Sequence, residues 1–285
     1  MPIRHSTIST QTASIRVSES DGTGLPLVLI HGSGASRQVF ERQFASSLAE
    51  RHQLLALDLP GHGESTDAAN GSDYAIPALA DSVAEVLALR GISHAAIFGW
   101  SLGGHIGIEL LSRVPAVAGL MITGTPPVSP GPLGMLRGFQ TNWDLLLASK
   151  EQFSERDIQR FYELCYGRRG DERFLAAIRR VDGRVRPAVS RGLMRGDGAD
   201  QRWTVEHAVV PVAVVNGATE PFARLSYVAS LDYPTLWGVQ CHIVPDAGHA
   251  PFWDQPEAFN ALLGQFAADV EDFSARAALP LVRTA

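Results

Sequence analysis

The 285-residue chain has only two cysteines, Cys165 and Cys241, and a single lysine, Lys150. Two cysteines cannot staple a disulfide scaffold, and they have no metal-ligand spacing. Each reads as a free buried thiol in a reducing compartment, so a cytoplasmic location is expected. The other basic residues are all arginine, which reads as genomic composition bias. Positive charge is also in the minority, with 24 basic against 30 acidic side chains and a net charge of −6. Nucleic acid, which wants a basic face, is therefore not an expected partner. Long apolar runs are missing too. The uncharged stretch between Arg90 and Glu109 is interrupted by Gly91, Gly99, Gly103, Gly104 and Gly107. A lipid-spanning helix of ~20 residues would be more uniformly apolar, so no stable membrane anchoring is expected. Met1 to Gln11 is polar, without the apolar region of a secretory signal. What the chain does have is 45% hydrophobic residues, enough to bury a sizeable core and to exclude a disordered protein.

Strand and helix signals alternate. Ala13–Glu19 alternates as a half-exposed strand does, and Leu27–Ile30 is a short apolar run ending at His31-Gly32. Helical spacing follows over Arg37–Leu48, then a buried-type strand over Leu54–Asp58. Pro77–Arg90 reads as an amphipathic helix with Pro77 in its first turn and Gly91 past its end. Ala95–Phe98 reads as a strand, Leu102–Arg113 as a helix and Val117–Ile122 as a strand. Short apolar strands separated by helices imply a parallel sheet covered on both faces.

The rhythm breaks at Thr125-Pro-Pro-Val-Ser-Pro-Gly-Pro132, and helical signals take over from about Val128 to His207. This segment carries 14 basic and 11 acidic residues, a mixed-charge pattern that reads as a solvated face. The β/α rhythm resumes with strands at Pro211–Asn216 and Val239–Val244 and a final helix near Pro256–Phe273. The expected architecture is thus α/β: a core of residues 1–126 and 208–285, and an inserted helical lid of residues 127–207. A ligand crevice is expected at the C-terminal strand ends. Breakers at Thr125–Gly134 and Val209–Pro211 mark the expected lid hinges.

Gly99-Trp100-Ser101-Leu102-Gly103 is a G-x-S-x-G sequence placed between a strand and a helix. A nucleophile elbow needs that order, because the sharp turn strains the serine backbone and exposes its hydroxyl. A serine hydroxyl needs a base. Among nine histidines, His249 follows the last strand and precedes the last helix, which puts it at the same sheet edge as Ser101. His5, His52, His94 and His207 stand in polar contexts and read as solvated; His31, His62, His105 and His242 read as structural. The base needs an acid to fix its tautomer. The loop after the Val-rich strand, Asn216-Gly-Ala-Thr-Glu220-Pro221, offers Glu220 as its only carboxylate. Thr123-Gly124-Thr125 offers none, and Asp246 is too close to His249 in the chain to face it. The oxyanion needs preformed donors. Leu102 N–H is one, and the loop His31-Gly32-Ser33-Gly34 supplies another, assigned to Ser33 N–H.

Metal and cofactor patterns are absent: there is no H-x-H-x-D-H, no G-x-x-x-x-G-K-[ST], and no G-x-G-x-x-G after a strand. No metal and no cofactor is expected. Residue 101 is serine, which excludes chemistry that needs an aspartate nucleophile there.

These residues resemble the α/β-hydrolase superfamily over essentially the whole chain, including Asp58-Leu-Pro-Gly-His62-Gly-Glu-Ser65. Four segments resemble the AidH-type N-acyl-homoserine lactonases more closely: Gly99–Glu109, Gly119–Val128, Phe153–Asp157 and Ala247–Phe252. The resemblance implies a metal-independent Ser–His–Glu enzyme that opens the ring of N-acyl-L-homoserine lactones, as in quorum quenching, with the triad at Ser101, His249 and Glu220. It also implies substrate contacts at Gly32, Trp100 and Trp143, and at Phe161 or its neighbour Tyr162 for the family's lid tyrosine. The family has Asn after His-Gly, where this chain has Ser33. An apolar slot for the acyl tail is expected from Phe139, Trp143, Leu146, Phe161, Tyr162 and Met194. The expected partner is a small acyl lactone or ester. The alternatives are a general carboxylesterase, or a small-molecule receptor with a vestigial triad.

Overall fold

Five runs of Val, Leu, Ile and Ala form strands buried on both faces, and such strands pair in parallel beneath covering helices. They are β3 (Gly24–Ile30), β4 (His52–Leu57), β5 (Ala95–Trp100), β6 (Val117–Thr123) and β7 (Val212–Gly217). Two polar-faced strands precede them, β1 (Arg4–Ser9) and β2 (Ser14–Glu19), and a short β8 (His242–Val244) follows. In the computed structural model, which describes residues 2–141 and 143–277 (backbone only at 143, 145 and 168), these build one eight-stranded sheet. Its order is β1-β2-β4-β3-β5-β6-β7-β8; β1–β2 and β2–β4 pair antiparallel at one edge, and β3 to β8 run parallel to one another. The sheet is the mostly parallel α/β architecture expected.

The helices Ile76–Leu89 and Leu102–Arg113 cover one face through Leu79, Val83, Val86 and Ile106. The last helix, Pro256–Ala277, covers the other through Phe259, Leu263, Phe266 and Val270. The connection leaving β3 runs to one side of the sheet and that leaving β5 to the other. The two adjacent strands therefore flank a topological switch point, where a crevice opens beyond the carboxyl ends. Of the helices between β6 and β7, Pro132–Gly138, Glu155–Tyr166 and Val185–Arg195 line that crevice, and Arg173–Arg180 and Gln201–Glu206 complete the segment.

Three local readings differ from the structure. The polar N-terminus forms β1, because β2 offers it a free antiparallel edge from Arg4↔Glu19 to Ser9↔Ser14. Arg37–Leu48 is not one helix but a 3-10 turn (Arg37–Phe40) and a short helix (Glu41–Phe44), with another at Leu48–Arg51. Ser46 breaks it: its hydroxyl donates to Gln43 O (2.7 Å) and accepts from Leu48 N–H (3.2 Å), which competes with helical bonding. The eighth strand begins only at His242, after Gly238 and Val239 take positive φ.

His52 also departs from its solvated reading. It is buried, with Nδ1 3.2 Å from Leu25 O. His31 is buried with Nδ1–H donating to Gly32 O (2.8 Å) while Nε2 accepts Leu59 N–H (3.0 Å), so a neutral imidazole ties β3's end to the loop after β4. Burial lowers the pKa of His31, His52 and His62, and that of His105 to about 4. Folded-state values below 6.5 mean that the unfolded chain takes these protons first. Stability is then full above pH ~6.5 and falls as pH drops toward ~4, with a slope of up to about 1.4 kcal/mol per pH for each such histidine. Melting temperature should fall steeply between pH 7 and 5; a flat profile would contradict the buried neutral histidines.

Candidate active site

The turn after β5 holds Ser101 at φ 54°, ψ −115°, a backbone strain that ordinary serines avoid. The surrounding glycines are required by close approach. A Cβ on Gly99 would lie 2.3 Å from Gly103 O, and one on Gly103 would lie 2.0 Å from Ile30 O. Ser101 N–H donates to Thr123 O (2.8 Å) and Thr125 Oγ1 donates to Ser101 O (2.8 Å), so the ends of β5 and β6 clamp the elbow.

His249 stands in the loop after β8, and Glu220 in the loop after β7, as their strand order requires. Both side chains are buried. The His249 Nδ1–H donates to the Glu220 carboxylate, 2.9 Å from Oε1 and 2.8 Å from Oε2. Phe222 N–H (2.8 Å) and Ala223 N–H (3.0 Å) also donate to Oε1. Burial disfavours the charged carboxylate, but His249 and these two amides outweigh it and hold Glu220 below the usual carboxylate range. With Nδ1 engaged, Nε2 is the nitrogen left to take a proton. Ser101 Oγ makes no hydrogen bond to His249 among the described residues. The two side chains line one cavity, and an apo serine rotamer commonly tightens only when substrate binds.

Ser33 and Leu102 also line this cavity. Leu102 is the first helical residue, so its N–H precedes the first intrahelical bond. Among the described residues neither N–H is spent on another acceptor. Gly32 lets the loop approach Ser101, since a Cβ there would lie 3.1 Å from Ser101 Cβ.

The cavity has a volume of about 260 Å3. Phe139, Leu146, Phe161 and Met194, four of the expected slot residues, line it, joined by Met135, Val189, Leu193 and Phe222. Tyr162 does not. Adjacent residues on the helix Glu155–Tyr166 point about 100° apart, so Phe161 faces the cavity while the Tyr162 hydroxyl packs at Gly170. The Trp143 side chain lies outside the described part of the structure. Trp100 lines the cavity, but its indole N–H is spent on His249 O at 2.8 Å. Its polar group positions the base and has no donor to offer a ligand.

Sequence reasoning missed two residues here. Gly124 lies in a loop that offers no carboxylate and so carried no signal. At φ 61° it lies against the His249–Glu220 pair, where a Cβ would stand 2.5 Å from His249 Cε1 and 3.3 Å from Glu220 Oε2. Arg186 belongs to the stretch whose mixed charge reads as a solvated face. Most of that face is solvated, with surface pairs such as Arg173–Glu41 (2.8 Å) and Arg179–Glu155 (2.7 Å). Arg186 instead is buried and lines the cavity. Among the described residues no cluster of three His, Cys, Asp or Glu is placed to hold a metal ion, and no helix is long and apolar enough to cross a membrane.

Residues 27–262 match the model of the alpha/beta hydrolase family. A solved structure of N-acyl homoserine lactonase AidH complexed with N-butanoyl homoserine superimposes with a TM-score of 0.91 at 40% identity, covering 94% of this chain and 97% of that one. Pimeloyl-[acyl-carrier protein] methyl ester esterases are also similar. The protein from Nitrosomonas europaea is 29% identical and that from Nitrosospira multiformis 30%, each alignment covering 87% of this chain and 97% of the relative. With the strained serine turn, the buried His–Glu pair and the eight-stranded sheet, these matches make the chain a member of the alpha/beta hydrolase family, close to AidH.

Proposed function

We propose that the protein is a metal-independent serine hydrolase that opens the lactone ring of N-acyl-L-homoserine lactones. One observation carries this reading: Ser101 and His249, the latter backed by Glu220, open into an apolar cavity roofed by the helices between β6 and β7. The 40% identity to AidH over nearly the whole chain supports the lactone as substrate. In this reading residues 127–207 act as the lid.

Ser101 Oγ attacks the lactone carbonyl while His249 Nε2 takes its proton, and Glu220 stabilises the imidazolium that forms. Ser33 and Leu102 N–H hold the oxyanion. As the ring C–O bond breaks, His249 returns the proton to the departing oxygen. That alcohol stays tethered to the acyl-enzyme and can re-close the ring, so water must enter promptly. His249 then deprotonates the water that attacks the ester carbon, and returns this proton to Ser101 Oγ as the acyl–Oγ bond breaks, which leaves free Ser101 and N-acyl-homoserine.

The similarity to methyl ester esterases favours a second reading, a general carboxylesterase. The two separate on kcat/KM for N-hexanoyl-L-homoserine lactone against p-nitrophenyl hexanoate. The lactonase reading expects the lactone to win, and preference for the linear ester would favour the second. Activity should survive EDTA; a loss restored by Zn2+ would overturn the metal-free mechanism. Phe161→Ala should lower kcat/KM mainly for long acyl chains, through lost apolar contact of about 25 cal/mol per Å2. A uniform fall across chain lengths would assign Phe161 to packing the lid.

A further inference from the structure

Among the described residues that line the cavity, Arg186 carries a charge that the reaction above does not use. The side chain is 2% exposed and sits in the cavity wall. Its guanidinium lies 3.7 Å from the Phe153 ring centroid and 5.7 Å from that of Phe161. Nε and Nη2 are buried without a hydrogen-bond partner, and no carboxylate pairs with the group among the described residues. Nη2 lies near the oxyanion loop, 3.6 Å from where a Cβ on Gly34 would stand. Burial lowers the pKa of the group to about 10, which still leaves it charged at neutral pH.

A buried charge without a counter-ion is strongly unfavourable. Ring faces offset only part of that, and they satisfy no N–H in the plane of the guanidinium. Other arginines of the same helical segment have partners: Arg180 pairs with Asp67 (2.9 Å) and Arg184 with Asp182 (2.5 Å). An arginine in a substrate cavity, left without a protein anion, matches a ligand that brings one. A carboxylate fits best, because it accepts two parallel N–H bonds from the guanidinium fork and cancels the charge. A neutral carbonyl could do only the first, and only in part.

We propose that Arg186 is a specificity-determining residue that receives a carboxylate carried on the acyl chain of the substrate. This deepens the hydrolase reading and rests on it. The preferred substrates are then lactones or esters whose acyl part ends in a second, free carboxylate, held against Arg186 while the scissile carbonyl lies at Ser101.

The test uses three homoserine lactones with a six-carbon acyl chain: plain, 3-oxo and ω-carboxylate. The wild type should favour the ω-carboxylate over the plain chain by tenfold or more in kcat/KM. Arg186→Met, which keeps length and loses charge, should bring that ratio to one or below. A ratio unchanged in Arg186→Met, or a wild type that prefers the plain chain, would overturn the proposal. Preference for the 3-oxo chain alone would overturn the carboxylate assignment in favour of a neutral acceptor. A second arm needs neither a folded variant nor lactonase activity: inhibition of wild-type p-nitrophenyl acetate hydrolysis by free adipate and by its uncharged diamide, adipamide. Adipate should inhibit at concentrations at least tenfold lower. Equal potency would count against Arg186 even if the true substrate is a linear ester, whereas failure of the lactonase reading would leave the adipate preference in place.

Discussion

Ser101→Ala and His249→Ala should each lower kcat at least ~10^3-fold, and the double variant should be little worse than either, because triad members act as a unit. In the proposed mechanism the Ser101 hydroxyl supplies the covalent bond, and Ser101 is the residue held in the strained turn between β5 and the following helix. Ser101→Ala removes one hydroxyl from a cavity lined mostly by other residues, so the variant should still bind product or uncleaved substrate in a calorimetric titration. Glu220→Ala should cost less, since the carboxylate orients and stabilises the imidazole but forms no bond to substrate. The inactivation rate by a serine-reactive phosphonate gives the same ordering without any substrate assumption. Near-wild-type turnover in Ser101→Ala would mean that water attacks the carbonyl directly.

Gly124→Ala should lower kcat by about 10^2-fold or more with a smaller effect on KM. A Cβ there would stand 2.5 Å from His249 Cε1 and 2.6 Å from its Nδ1. The glycine cannot retreat easily, since its N–H donates to Asn216 Oδ1 at 2.8 Å and its φ of 61° disfavours alanine. The imidazole therefore moves, and a displacement near 1 Å in a reacting group costs on that order in rate. The phosphonate inactivation rate should fall in parallel, because it needs the same base. Melting temperature reports the backbone strain separately. Wild-type kcat in this variant would show that the His–Glu pair tolerates displacement.

The parts of the site legible in the sequence are those set by local backbone constraints. Gly99 and Gly103 are forced by contacts within a single βα turn, so G-x-S-x-G betrays the turn by itself. Glu220 and His249 are legible through strand order: each follows a strand whose carboxyl end must lie at the Ser101 edge of a parallel sheet. Contacts between distant loops leave no such mark. The approach of Gly124 to His249, and the indole of Trp100 donating to His249 O, join residues 125 and 149 positions apart in the chain. Arg186 is hidden for a further reason. In a segment rich in paired surface arginines, nothing local separates the one that turns inward between Phe153 and Phe161. The choice between Phe161 and Tyr162 likewise needs the helix phase, which a one-residue uncertainty in register erases.

The most direct measurement is mass spectrometry of N-hexanoyl-L-homoserine lactone incubated with wild-type protein and with Ser101→Ala, in the presence of EDTA. The account predicts a product heavier by one water, N-hexanoyl-homoserine, formed by the wild type and suppressed at least ~10^3-fold in the variant. An unchanged lactone under conditions where the same protein hydrolyses p-nitrophenyl hexanoate would contradict it, and so would ring opening that Ser101→Ala leaves intact.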